Sequence, residues 1–212
     1  MTTERIIVLG THNRKKGLEL AALLAPFGIA LQTLVDFPNP LEVEETGQTF
    51  AENAQLKATR QASHLRQWVL GEDSGLSVDA LDGRPGVYSA RYSGPSASDD
   101  SNIDKLLDEL SNIPRERRGA HYESHMALAD PQGQVRAEAA GRCHGRIAAA
   151  RRGSAGFGYD PVFEIVEYWM TFGELGDAVK GLLSHRGRAM RQLTKQLAQM
   201  LRNDPQALRN PD

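Results

Sequence analysis

Arg5-Ile6-Ile7-Val8-Leu9-Gly10 runs straight into Thr11-His12-Asn13-Arg14-Lys15-Lys16. The first run is short, apolar and rich in β-branched residues, so it reads as a buried strand. The second is a polar, cationic loop. Leu18, Ala21, Ala22 and Ala25 then recur at helical spacing, with Gly28 just past the end. Residues 29–35 read as a second strand. Strand, polar loop, helix and strand in that order are the signature of an α/β fold, and the loop lies where such folds bind ligands.

Pro38-Asn39-Pro40 then breaks the pattern, and an acidic stretch follows, Glu42-Val43-Glu44-Glu45-Thr46-Gly47. Thr49 and Glu52 have capping-box spacing, which predicts a helix to about Leu65. Trp68-Val69-Leu70 is a short strand that delivers Glu72-Asp73-Ser74-Gly75 at its end. Ile103, Leu106, Leu107 and Leu110 mark a further helix. Residues 122–130 and 135–140 read as two strands joined by the turn Asp130-Pro131-Gln132-Gly133. A last helix is expected over residues 185–202, with Ala189, Leu193, Leu197 and Met200 on one face. Residues 1–203 form a single domain in this reading. The polar, proline-bearing tail 204–212 is expected to be disordered.

The chain has 212 residues and a formal net charge of −2, so nothing in its charge favours a nucleic-acid partner. Cys143 is its one cysteine, which excludes an intrachain disulfide. No stretch approaches the roughly 20 apolar residues of a membrane span. The apolar run 6–9 is too short for a signal peptide. No leader and no membrane partner are expected, and a reducing, cytoplasmic setting is.

The chemistry-bearing residues fall into three sets. Lys15 and Lys16 open a helix behind a strand, where backbone N–H groups and the helix dipole favour phosphate. The loop lacks the spacing of a Walker A motif; its bland alternative is a solvated basic turn. Glu44, Glu45, Glu72 and Asp73 are two acidic pairs of the kind that hold magnesium, one carboxylate binding the metal while another takes a proton from water. Their bland alternative is solvated acids. Gly156-Phe157-Gly158-Tyr159-Asp160-Pro161, with Lys180 and Ser184-His185-Arg186-Gly187, reads as a flat slot for a planar ring with polar groups at its edge. Core packing is the bland alternative for the two aromatics.

In order along the chain, these motifs resemble the inosine triphosphate pyrophosphatase family, over about residues 6–201. Thr11-x-Asn13-x-x-Lys16 looks like its phosphate loop. Glu44-Glu45-Thr46-Gly47 with Glu52-Asn53-Ala54 looks like its acidic segment and helix. Glu72-Asp73-Ser74-Gly75-Leu76 looks like its catalytic motif, and Pro85-Gly86-Val87-Tyr88-Ser89-Ala90-Arg91-Tyr92 like a further family run. Phe157 to Pro161 and Ser184 to Gly187 look like its base pocket. Departures are His12 where a Gly is usual, Glu72 where Asp is frequent, Gly181-Leu182-Leu183 before the Ser-His-Arg run, and a loose match over 164–179.

The resemblance implies a long central mixed sheet flanked by helices, in two lobes around a nucleotide cleft. It implies hydrolysis of non-standard purine nucleoside triphosphates (dITP, ITP, XTP) to the monophosphate and pyrophosphate, with Mg2+, by a cytoplasmic homodimer that cleanses the nucleotide pool. Asp73 would be the proton acceptor; Glu45, Glu72 and Asp73 the metal ligands. Thr11, His12, Asn13, Arg14, Lys15, Lys16, Ser74, Phe157, Gly158, Tyr159, Asp160, Lys180, His185 and Arg186 would bind substrate. Lys16 and Lys180 would face the phosphates, and Arg186 or backbone N–H groups would donate to the 6-oxo group of the base. Three other readings compete: a pyrophosphatase for modified pyrimidines or methylated nucleotides, a nucleotide sensor without turnover, and an RNA-binding module.

Overall fold

The computed structural model describes residues 5–210. Among these residues, seven strands form one mixed sheet in the order β2-β1-β3-β4-β5-β6-β7, flanked by helices. The chain divides into two compact units. Of the described residues, the first comprises 5–73, 124–141 and 186–210; the second comprises 74–123 and 142–185.

In the first unit, β1 (Arg5–Leu9) lies between β2 (Ile29–Thr33) and β3 (Val69–Val78), parallel to both, with Ile7 opposite Leu31 and Leu9 opposite Leu70. The Asn13 side chain caps α1 (Arg14–Leu24), its Oδ1 accepting the Lys16 N–H. Ile7, Leu9, Leu20, Leu24, Leu70, Met126 and Leu128 pack with Leu193 and Leu197 of α5 (His185–Asn203). The predicted capping box is present: Thr49 and Glu52 close the start of α2 (Phe50–Leu65). Gly71 is the contact point between β3 and that helix. A Cβ at Gly71 would sit 2.0 Å from the Ala54 carbonyl oxygen, so only glycine allows the approach.

The second unit contains α3 (Asp99–Glu109), the outer parts of β4 (Gly119–Ala129) and β5 (Val135–Ile147), then β6 (Phe163–Ile165), β7 (Met170–Thr171) and α4 (Phe172–Leu183). β6 runs antiparallel to β5 and to β7. Its core joins Leu76, Ile103, Leu106 and Leu110 to Tyr122, Phe163 and Phe172. The expected turn at 130–133 is present, with the Gly133 N–H donating to the Asp130 carbonyl.

The expectation of a disordered tail fails for residues 204–210. Leu208 is fully buried in the first unit's core. The Asn210 side chain accepts the Trp68 N–H and donates to the Ile6 carbonyl, while the Trp68 indole donates to the Arg209 carbonyl. One leucine and one bidentate amide anchor a segment whose composition is otherwise polar. Residues 211–212 lie outside the described residues. Among the described residues, no helix is long and apolar enough to cross a membrane.

Candidate active site

In the first unit, β3 ends its buried run with two adjacent acids, and each is held by its own set of donors. Glu72 is 2% exposed. Its Oε2 accepts from the Lys16 ammonium at 2.8 Å. Its Oε1 accepts from the Ser124 hydroxyl at 3.0 Å and from Arg186 Nε at 3.1 Å. Arg186 also donates through Nη1 to Glu19 on α1. The N-capped turn 11–16 thus sends Lys16 inward, while His12, Arg14 and Lys15 stay on the exposed side of the helix start.

Asp73 points into the interface with α2. Successive strand residues face opposite sides of a sheet, which separates it from Glu72. Asn53 and Lys57 stand one helical turn apart on α2, on the same face. Asn53 Nδ2 donates to Asp73 Oδ2 at 3.2 Å, and Lys57 Nζ donates to Asp73 Oδ1 at 2.9 Å. The same ammonium reaches Glu45 Oε1 at 3.1 Å. Burial raises the pKa of Asp73; Lys57 offsets only part of this, and the charges of Glu45 and Glu72 add to it. Burial works against the Lys57 ammonium, but the carboxylates of Asp73 and Glu45 outweigh it and its pKa rises. Lys57 and Asn53 are absent from the sequence-based site. The available signal was their i,i+4 spacing on the helix that follows the acidic segment.

Glu45 and Asp73 offer the hard carboxylate oxygens that magnesium prefers, and they converge on one cation. Glu72, with Lys16 and Arg186 on its two oxygens, is drawn into a different network. Among the described residues, no three His, Cys, Asp or Glu side chains gather as a metal site.

In the second unit, the loop 156–160 is held by hydrogen bonds at almost every residue. Asp160, buried, accepts the Phe157 N–H at 2.8 Å and the Lys180 ammonium at 2.7 Å, both on Oδ2. Lys180 lies 4.2 Å from the centre of the Phe157 ring, a cation–π distance. Lys180, expected to face the phosphates, donates to Asp160 and lies over the Phe157 ring, in the ring-bearing region. The two aromatics of the expected slot are buried to different degrees. Tyr159 is buried, and its hydroxyl donates to the Ser89 carbonyl at 2.8 Å. Burial pushes that phenol's pKa up. Tyr159 is an anchor of the loop, and Phe157 is the half-buried ring of the two. His185 stacks on Tyr122, with ring centres 4.6 Å apart and planes at 11°, and Tyr122 continues to Phe163 and Phe172. Ser74 follows Asp73 on β3 and is half-buried.

The arrangement defines an α/β protein with a buried carboxylate–lysine cluster in one unit and a braced aromatic loop in the other. Residues 7–196 match the profile of the Ham1 family. A dITP/XTP pyrophosphatase of Rhodopirellula baltica is 54% identical over 93% of this chain and 95% of its own length. One from Bacillus cereus is 45% identical over 93% of this chain and 97% of its own. The solved structure of a HAM1 protein from Coxiella burnetii superimposes with a TM-score of 0.83 at 36% identity, covering 92% of this chain and 98% of that one. The chain belongs to the Ham1 family.

Proposed function

We propose that this protein hydrolyses non-standard purine nucleoside triphosphates, dITP, ITP and XTP, to the monophosphate and pyrophosphate; its relatives are named dITP/XTP pyrophosphatases. The observation that carries the reading is Asp73: a buried carboxylate of raised pKa, gripped by Lys57 and Asn53 and paired through Lys57 with Glu45. A general base works best with a pKa lifted toward the operating pH. Asp73 would take the proton of the water that attacks the α-phosphorus, and Lys57 would hold the carboxylate in place. Lys16, at the start of α1, would supply positive charge to the leaving pyrophosphate, with Glu72 and Arg186 fixing its position.

Magnesium, held by Glu45 and Asp73, would neutralise phosphate charge and polarise the phosphoryl oxygens. Phe157, His185 and Lys180 would recognise the base. A 6-oxo purine presents an acceptor to donors there; adenine's 6-amino group would leave them unpaired, which is how polar pockets reject near-isosteres. Phe157 N–H already donates to Asp160, and Arg186 Nε and Nη1 to Glu72 and Glu19, so these groups are engaged before any base arrives. A homodimeric, cytoplasmic enzyme completes the proposal.

The test is hydrolysis of dITP, XTP, dGTP and dATP with magnesium, resolving pyrophosphate from orthophosphate. Pyrophosphate formed fastest from dITP or XTP is the expected result. Orthophosphate, or equal rates on dATP, would overturn it.

A further inference from the structure

The ring-bearing loop has one more tie, from a residue outside every motif read above. Asp99 is the first residue of α3, and its Oδ2 accepts the Gly158 N–H at 2.8 Å across 59 positions of chain. Gly158 sits between Phe157 and Tyr159 in the left-handed region, at φ 60°. Other bonds of the loop come from within it, from α4, from Ser89 and from the N–H groups of Val162 and Phe163. α3 grips a second segment too: Asn102, one turn on, accepts the Ser93 N–H at 2.8 Å and donates to the Ala90 carbonyl at 3.2 Å. The Tyr159 hydroxyl lands on Ser89, beside that segment. The start of α3 is thus a bar to which both the 89–93 segment and the ring-bearing loop are fastened.

We infer that Asp99 is a positioning residue for base recognition, acting through the Gly158 amide on the orientation of Phe157. The inference rests on the function proposed above. Glycine samples left-handed and right-handed backbone at similar energy, so an untied Gly158 leaves the neighbouring ring poorly directed. Small misplacements of a recognition surface weaken productive binding strongly. A hydrogen bond to a charged acceptor is the stronger kind, and Asp99 supplies it without touching the base.

The full-length chain carrying Asp99→Ala, Asp99→Asn or Asp100→Ala tests this. Asp100 is the next residue of α3, and its carboxylate lies 3.7 Å from Arg151, so its loss removes the same helix-start charge without touching Gly158. Asp99→Ala is expected to raise KM for dITP by about threefold to tenfold with kcat nearly unchanged, the scale of one lost hydrogen bond. Asp99→Asn keeps an acceptor oxygen and recovers most of that loss; Asp100→Ala leaves KM as it was. Amide hydrogen exchange at Gly158 is expected to speed up in Asp99→Ala alone. An Asp99→Ala variant with unchanged KM and unchanged Gly158 exchange would overturn the inference, as would an equal effect from Asp100→Ala. Should the unaltered protein leave dITP intact, the proposed function fails, and Gly158 exchange still decides whether Asp99 holds the loop.

Discussion

The two units stabilise their buried polar groups in different ways. In the first, Glu72 and Asp73 are adjacent in sequence but serve separate networks, one through Lys16, Ser124 and Arg186, the other through Lys57, Asn53 and Glu45. In the second, buried Asp160 is held by Lys180 and buried Glu164 by Arg115, Arg146 and Arg152, among stacked rings and backbone bonds. The first unit concentrates charge that can act on phosphate and water. The second holds a shape. Substitutions in the first should therefore change rate and its pH dependence; substitutions in the second should change stability and the choice of base.

The sharpest break is Asp73→Asn, which keeps the volume but leaves one acceptor oxygen for the two donors, Asn53 and Lys57, and removes the base. A fall in kcat of about 10³-fold is expected on every substrate, within the range for a lost general base, and steady-state rates measure it. Next is Lys180→Met. It leaves the Asp160 carboxylate buried without its ammonium, and breaking a buried pair destabilises by about 3–5 kcal/mol; denaturant unfolding would show it. Leu208→Ala should cost about 2–4 kcal/mol as a core truncation, read in the same experiment. A mobile tail would give no change.

The smallest effects sharpen the electrostatic side. Lys57 lowers the Asp73 pKa and Glu45 raises it. Asp73 must be deprotonated to act, so activity falls as pH drops through its pKa. Lys57→Met should move the acid limb of the kcat/KM profile to higher pH, and Glu45→Gln should move it to lower pH. Shifts of the same sign in both variants would contradict the assigned network.

Much of this was legible in the chain. The run from Arg5 to Lys16 predicts strand, loop and helix because each segment has its own period, and the Thr49–Glu52 capping box marks the start of α2. The gaps have physical causes. Lys57 looks like any lysine on a helix until Gly71 lets that helix close on β3. β6 and β7 are three and two residues long, too short for an alternating pattern to register. Leu208 is one apolar residue in a polar tail, and only Asn210 bridging Ile6 and Trp68 shows that the tail is fastened. The second unit's loop was found as a motif, but a motif does not say which aromatic is anchor and which is surface. That distinction came from the Tyr159 hydroxyl on Ser89.

The division of labour between the units is tested most directly by one ratio, kcat/KM for dITP over that for dATP, in the unaltered protein, Asp73→Asn and Phe157→Ala. The account predicts that Asp73→Asn depresses both substrates alike and leaves the ratio intact, while Phe157→Ala collapses the ratio toward unity with residual turnover. A ratio lost in Asp73→Asn, or kept in Phe157→Ala, would contradict it.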